Sequence, residues 1–194
     1  MALGDLRHYI RTYDADLDAQ QCERLMAAFE SLRRYQQPNG RAIRAGLEES
    51  AWTELNLTRV GDPALLDPLR ARIGPALQRY NEDLGLTIPV PPAPSTSDYV
   101  YKRYRAGAEE RFQLHFDAAY HVANRYLVVL WYLNDVEVGG ETTFPQLGIA
   151  VKPRRGRLLL FPPYWMYQHE GATPVSGDKH IVSFYLLFGD PRPA

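Results

Sequence analysis

Arg125–Asn134, RYLVVLWYLN, is the stretch on which the fold turns. It is almost wholly apolar, rich in β-branched and aromatic residues, and too short to span a membrane, so it predicts a long strand in a core. Reading outward, YVYKRY (99–104) has the same β-favouring character. Downstream, GIAV (148–151), PRRG (153–156) and RLLLF (157–161) predict a hairpin, and KHIVSFYLLFG (179–189) predicts a last strong strand. The first half of the chain reads differently. DAQQCERLMAAFESLRR (18–34) opens with Asp18 as N-cap and Gln21 three residues on, then sets Leu25, Met26, Phe29 and Leu32 in one apolar stripe. Pro38, Asn39 and Gly40 predict a turn after it. A second helix is expected over 67–85, capped by Asp67, with Pro68 in its first turn, Gly85 at its stop and a kink at Gly74-Pro75. IPVPPAP (88–94) predicts an extended connector. Helices followed by many short strands give an α+β chain: a jelly roll, with the N-terminal helices packed on one sheet.

Bulk properties narrow the function classes. The chain has 194 residues, 45% of them hydrophobic, enough for one cored domain, and a net charge of -1 that gives no pull toward nucleic acid or anionic membrane. It holds no apolar run long enough for a membrane helix, and MALGDLRHYIR at the start has no apolar signal core. One cysteine, Cys22, excludes an internal disulfide and is expected as a small buried hydrophobe. These features predict a cytoplasmic protein and leave the oligomeric state open. Lysine is scarce: Lys102, Lys152 and Lys179 stand against nineteen arginines.

Chemistry-bearing residues gather around LHFDA (114–118). On a strand His115 and Asp117 would share a face. An imidazole beside a carboxylate suits a divalent transition metal, and equally suits a plain hydrogen-bonded pair. A facial metal site needs a second imidazole. His8 precedes the first helix, His180 faces away from Lys179, and His121 sits in the loop after LHFDA. His169 lies 54 residues beyond His115, ahead of the last strand. Lys179, at the mouth of that strand, could hold a ligand carboxylate or simply be solvated.

Ordered pieces then accumulate: YRAG (104–107), LHFDA, RYLVVLWYLNDVEVGGETTFP (125–145), GIAVKPRRGRLLLF (148–161) and HEGATPVSGDK (169–179). Together they resemble the prolyl 4-hydroxylase-like branch of the Fe(II)- and 2-oxoglutarate-dependent dioxygenases. The resemblance implies a double-stranded β-helix core over 96–190, supported by a mainly helical 1–95, in one domain of 1–194. It implies His115, Asp117 and His169 as iron ligands, and Lys179, Tyr104 and Tyr132 as 2-oxoglutarate-binding residues. It places Arg125 toward the prime substrate, with Tyr185 and Trp165 as further candidates for that wall. Fe(II), 2-oxoglutarate and O2 would be the cofactors, with ascorbate as reductant. The reaction would be hydroxylation of an unactivated C–H bond in an amino acid, peptidyl residue or natural-product intermediate. Tyr185, where the family usually has tryptophan, and Phe112, where tyrosine is common, depart from the pattern. So does the short FPPYWMYQHE (161–170), and all three bear on a prolyl substrate. Two other readings compete: a non-catalytic metal-binding jelly roll, and a cupin-like Zn or Mn enzyme that does not use 2-oxoglutarate.

Overall fold

Residues 125–132 form the middle of the larger of two facing sheets, in a computed structural model that describes residues 4–92 and 95–189. The strands are β1 (Arg11–Tyr13), β2 (Gln37–Gly40), β3 (Ala51–Asn56), β4 (Ser95–Thr96), β5 (Val100–Tyr104), β6 (Phe112–His115), β7 (Arg125–Tyr132), β8 (Thr142–Phe144), β9 (Ile149–Val151), β10 (Leu158–Phe161), β11 (His169–Gly171) and β12 (Lys179–Leu187). The helices are α1 (Ala19–Ser31), α2 (Leu57–Val60) and α3 (Pro63–Leu84). The larger sheet runs β1-β10-β7-β12-β5-β3-β2, with β4 also on β12; the smaller runs β6-β11-β8-β9. Every pairing in both is antiparallel. Strands β5 to β12 divide equally between the two sheets, which is the double-stranded β-helix.

Alternation along the larger sheet separates two cores. Leu127, Val129 and Trp131 of β7 and Val182, Phe184 and Leu186 of β12 face outward. They pack under Cys22, Leu25 and Phe29 of α1 and Leu66, Leu69, Leu77 and Tyr80 of α3. Each such side chain stabilises the fold by roughly 1.5–3 kcal/mol when fully buried. Val128, Leu130 and Tyr132 face inward, toward the smaller sheet, with Leu159, Phe161 and Ile181. The sheet is thus apolar on both faces, which is why RYLVVLWYLN shows no polar alternation. The capping box of α1 is present: Gln21 N–H donates to Asp18 Oδ1 at 2.7 Å and Asp18 N–H to Gln21 Oε1 at 3.0 Å.

Several local expectations are corrected. Beside its helices, the N-terminal portion also contributes β1, β2 and β3, which extend both edges of the larger sheet. Pro38 to Gly40 lie in β2, paired with β3, rather than in a turn. The second helix begins at Pro63 on an Asp62 cap, and Pro68 and Pro75 both fall inside its span. Asp62-Pro63 and Asp67-Pro68 carry the same start signal, and only packing chooses between them. GIAV and RLLLF do not pair with each other. β9 joins β8 in the smaller sheet, and β10 joins β7 and β1 in the larger. In the connector, 88–92 carry no regular element and 93–94 lie outside the described residues.

Gly156, in the loop before β10, has φ +76°. Its carbonyl accepts from Leu17 N–H at 3.1 Å and its N–H donates to the Tyr132 carbonyl at 2.9 Å. A Cβ there would strike the Leu17 carbonyl oxygen. Gly156→Ala is therefore expected to destabilise the fold by roughly 1–3 kcal/mol, read as a lowered urea midpoint at unchanged slope.

Candidate metal centre

The smaller sheet does what sequence distance hides: His115, ending β6, is the cross-strand partner of His169, opening β11. Their ring centroids lie 4.3 Å apart. Asp117 joins them by a different route from the one expected. β6 stops at His115, and Asp117 lies in the bend beyond it. There the N–H groups of Asp117 and Ala118 donate to the Pro163 carbonyl at 2.9 and 3.0 Å. The turn, and not strand alternation, aims the carboxylate.

Ligand atoms of the three side chains all lie within 4.8 Å of one another. His115 Nε2 is 3.6 Å from Asp117 Oδ1, and His169 Nε2 is 3.4 Å from Asp117 Oδ2. Each imidazole spends its other nitrogen on the backbone two residues upstream: His115 Nδ1 donates to the Gln113 carbonyl at 2.7 Å, His169 Nδ1 to the Tyr167 carbonyl at 3.0 Å. A carbonyl only accepts, so the proton sits on Nδ1 and the Nε2 lone pair faces the centre. Asp117 Oδ2 is buried with no hydrogen-bond partner. Burial pushes the Asp117 carboxyl up, yet His169, His115 and the Tyr185 hydroxyl hold it well below the usual carboxylate range. Burial and the neighbouring His115 push His169 down to about 4. The set therefore presents a carboxylate and an unprotonated imidazole at neutral pH, the donor states a transition metal needs. The fit to a divalent ion is good.

Around this centre lies an inner cavity with Tyr104, Thr142 and Lys179 at its polar end and Val128, Leu130, Phe161 and Ile181 as apolar wall. Lys179 sits across from Tyr104 in the β12–β5 register and is 2% exposed. Its Nζ lies 5.4 Å from the Tyr104 ring and 5.6 Å from the Tyr132 ring. Among the described residues no carboxylate comes within ion-pair distance of it, and burial lowers its pKa to about 7. Tyr132 does not line the cavity directly; its hydroxyl donates to Thr142 Oγ1 at 2.7 Å. Thr142 opens β8, and it is the pairing of the smaller sheet that turns it toward the cavity.

The three residues expected at the substrate wall separate. Arg125 does reach the site. The β12–β7 register shifts so that Leu186 faces Leu127 while Leu187 faces Arg125, skipping Tyr126. That bulge turns Arg125 inward against strict alternation. Its Nη1 donates to the Asp117 carbonyl at 3.0 Å, and its guanidinium carbon lies 3.7 Å from the Tyr185 ring centroid. Tyr185 is engaged with the metal ligand itself: its hydroxyl donates to Asp117 Oδ1 at 2.7 Å. Trp165 is 65% exposed and lines neither cavity nor cleft. Phe112 stacks on His115 at 3.8 Å. The other histidines stay apart: His8 contacts the Leu84 carbonyl, His121 is exposed at the cleft, and His180 bonds Tyr101 beneath α1. An outer cleft of about 980 Å³ opens from the metal centre between β3, β5 and the 116–125 loop.

Tyr185→Phe removes one hydrogen bond that orients Asp117. Metal affinity is expected to fall about 10- to 100-fold, read by competition with a chelating dye.

Comparison with known proteins agrees with this geometry. Residues 99–187 match the sequence model of the 2OG-Fe(II) oxygenase superfamily. The chain is 36% identical over 88 residues to probable prolyl 4-hydroxylase 11 of Arabidopsis thaliana, covering 40% of this chain and 30% of that protein. It is 28% identical over 103 residues to prolyl 4-hydroxylase subunit alpha-2 of Gallus gallus, covering 49% and 17%. The matches thus span less than half the length of these curated relatives. In fold, it is similar to a viral collagen prolyl hydroxylase from Paramecium bursaria Chlorella virus-1 solved with 2OG, at TM-score 0.64, 20% identity and coverage of 94% and 97%. It is also similar to a Trichoplax adhaerens prolyl hydroxylase solved with a hypoxia inducible factor peptide fragment, at TM-score 0.71, 14% identity and coverage of 96% and 87%. Among the described residues no helix is long and apolar enough to cross a membrane.

Proposed function

We propose that the chain, whose residues 99–187 match the 2OG-Fe(II) oxygenase superfamily, acts as a prolyl 4-hydroxylase-like oxygenase that hydroxylates a C–H bond of a peptidyl residue or amino acid. The observation that carries the reading is the pairing of two imidazoles, both with Nδ1–H engaged, with an Asp117 oxygen that has no partner. In this reading His115, Asp117 and His169 hold Fe(II), and Lys179 receives the distal carboxylate of 2-oxoglutarate. Bound iron and 2-oxoglutarate supply the oxidising chemistry, consuming O2 and releasing succinate and CO2. Tyr104 and Thr142, which line the cavity beside Lys179, would flank that carboxylate. Val128, Leu130, Phe161 and Ile181 exclude water from it. Tyr185 and Arg125 hold Asp117 by its side chain and its carbonyl.

The outer cleft is large enough for an extended chain. Prolyl residues are the substrate that the relatives' names suggest, and Phe112 and Tyr185 are where this chain would differ in reading them. The reading includes ascorbate as reductant, a cytoplasmic location and one domain. The test is succinate release from 2-oxoglutarate with Fe(II) and ascorbate, screened over proline-containing peptides and amino acids. A protein that binds iron yet converts no 2-oxoglutarate, even slowly and without a prime substrate, would overturn it.

A further inference from the structure

Two of the three lysines in the chain line the same cavity, and Lys179 accounts for only one of them. Lys102 lies on β5 two residues before Tyr104, so it shares the inward face. Lys179, Tyr104 and Thr142 line the inner cavity alone. Lys102, with His115, Asp117, Ser183 and Tyr185, lines both the cavity and the outer cleft. It therefore stands where a substrate entering from the cleft meets the metal centre.

Its ammonium has no ion-pair partner among the described residues. Glu54 is its cross-strand neighbour in the β3–β5 register. The opposite charge is thus at hand, yet Glu54 Oε2 accepts from Trp52 Nε1 at 2.8 Å and no Lys102 ion pair forms. Lys102 Nζ instead lies 5.5 Å from the Trp52 ring and 5.4 Å from the Phe112 ring. Burial lowers its pKa, against the pull of Glu54 and Asp117. A half-buried ammonium beside this pair of aromatic rings, with no ion-pair partner, attracts an anion once one arrives.

We propose that Lys102 is a specificity residue that binds a carboxylate of the prime substrate and so sets which carbon faces the metal centre. The inference rests on the hydroxylase reading above and names its substrate class. One ammonium matches one carboxylate. That group could be the α-carboxylate of a free amino acid or an Asp or Glu side chain beside the target residue in a peptide.

The test uses matched pairs that differ only in that charge. One arm takes the proteinogenic L-amino acids and their carboxamides. The other takes short proline-containing peptides with Asp or Glu beside proline and their Asn or Gln counterparts. Binding to Mn(II)-loaded protein saturated with 2-oxoglutarate is read from tryptophan fluorescence, and succinate release is read with Fe(II). At least one acid should bind and stimulate release about 10- to 150-fold better than its amide; which arm responds identifies the source of the carboxylate. Lys102→Met should level the pair, and Lys102→Arg should restore part of the preference, which a folding defect would not allow. The 2-oxoglutarate half-saturation should move far less in Lys102→Met than in Lys179→Met. Acids and amides acting alike in the wild type, no member binding, or a Lys102→Met effect mainly on 2-oxoglutarate would overturn the assignment. Absent uncoupled succinate release in the wild type sinks the hydroxylase reading itself; uncoupled release without acid preference sinks the Lys102 inference alone.

Discussion

Alanine at Asp117 is expected to cut Fe(II) affinity and succinate release by more than about 100-fold, beyond the 10- to 100-fold typical of losing an outer partner. Asp117 is the one candidate ligand that carries charge. Its Oδ2 has no other partner, and both imidazole Nε2 atoms point at its oxygens. The apo fold should survive. The substitution keeps the Asp117 N–H that donates to the Pro163 carbonyl and so holds the bend, and it removes only the side chain that the Tyr185 hydroxyl and the two imidazoles face. Circular dichroism melting of the apo variant separates lost binding from lost structure, and retained stoichiometric metal binding in Asp117→Ala would refute the assignment.

The second large effect is at Lys179. A 2-oxoglutarate carboxylate buried without its cation costs about 3–5 kcal/mol, so Lys179→Ala should raise the 2-oxoglutarate half-saturation by about 150- to 5,000-fold. The pH dependence follows from the lowered pKa. With burial holding Lys179 at about 7 rather than 10.5, the free protein loses this proton as pH rises through 7, whereas the unfolded chain keeps it until pH 10.5. Between these values the unfolded state binds more protons, so this group makes apo stability rise with pH. Lys179→Met should therefore stabilise the apo protein most below pH 7, with the gain fading toward pH 10.5. A bound carboxylate favours the ammonium, so 2-oxoglutarate binding should take up a proton near pH 8 and almost none near pH 5.5. Calorimetry in buffers of different ionisation heat reads that uptake; equal uptake at both pH values would exclude Lys179 as the source.

Much of the fold and of the site could be read before any coordinates, because the relevant signals are local. Asp18 and Gln21 declare α1 through a contact three residues apart, and β7 and β12 declare themselves by apolar content. Strand partners cannot be read this way. PRRG looks like a hairpin turn, but β9 and β10 leave it for different sheets, since pairing depends on which edges the rest of the barrel leaves open. β2 stayed hidden because Pro38, Asn39 and Gly40 speak for a turn. In the site, the imidazoles and the carboxylate were legible from their chemistry and from family resemblance. The Arg125 orientation hung on one bulged residue, Tyr126. Lys102, which lines the cavity, follows the simpler rule: it precedes Tyr104 by two positions, and alternation alone puts both on one face.

The position of β7 between β10 and β12 has a consequence for how the chain is made. Both neighbours are synthesised after it, as residues 158–161 and 179–187. Until they emerge, an eight-residue strand with seven buried positions has two unpaired edges and no cover on its inner face. β1 waits even longer, since β10, its partner among the described residues, lies almost 150 residues downstream. A ribosome-bound or truncated fragment ending near 150 would therefore display a sticky apolar strand and no complete metal centre. Such fragments should associate with each other or with holdase chaperones, whereas the same strand is silent once β12 closes the barrel.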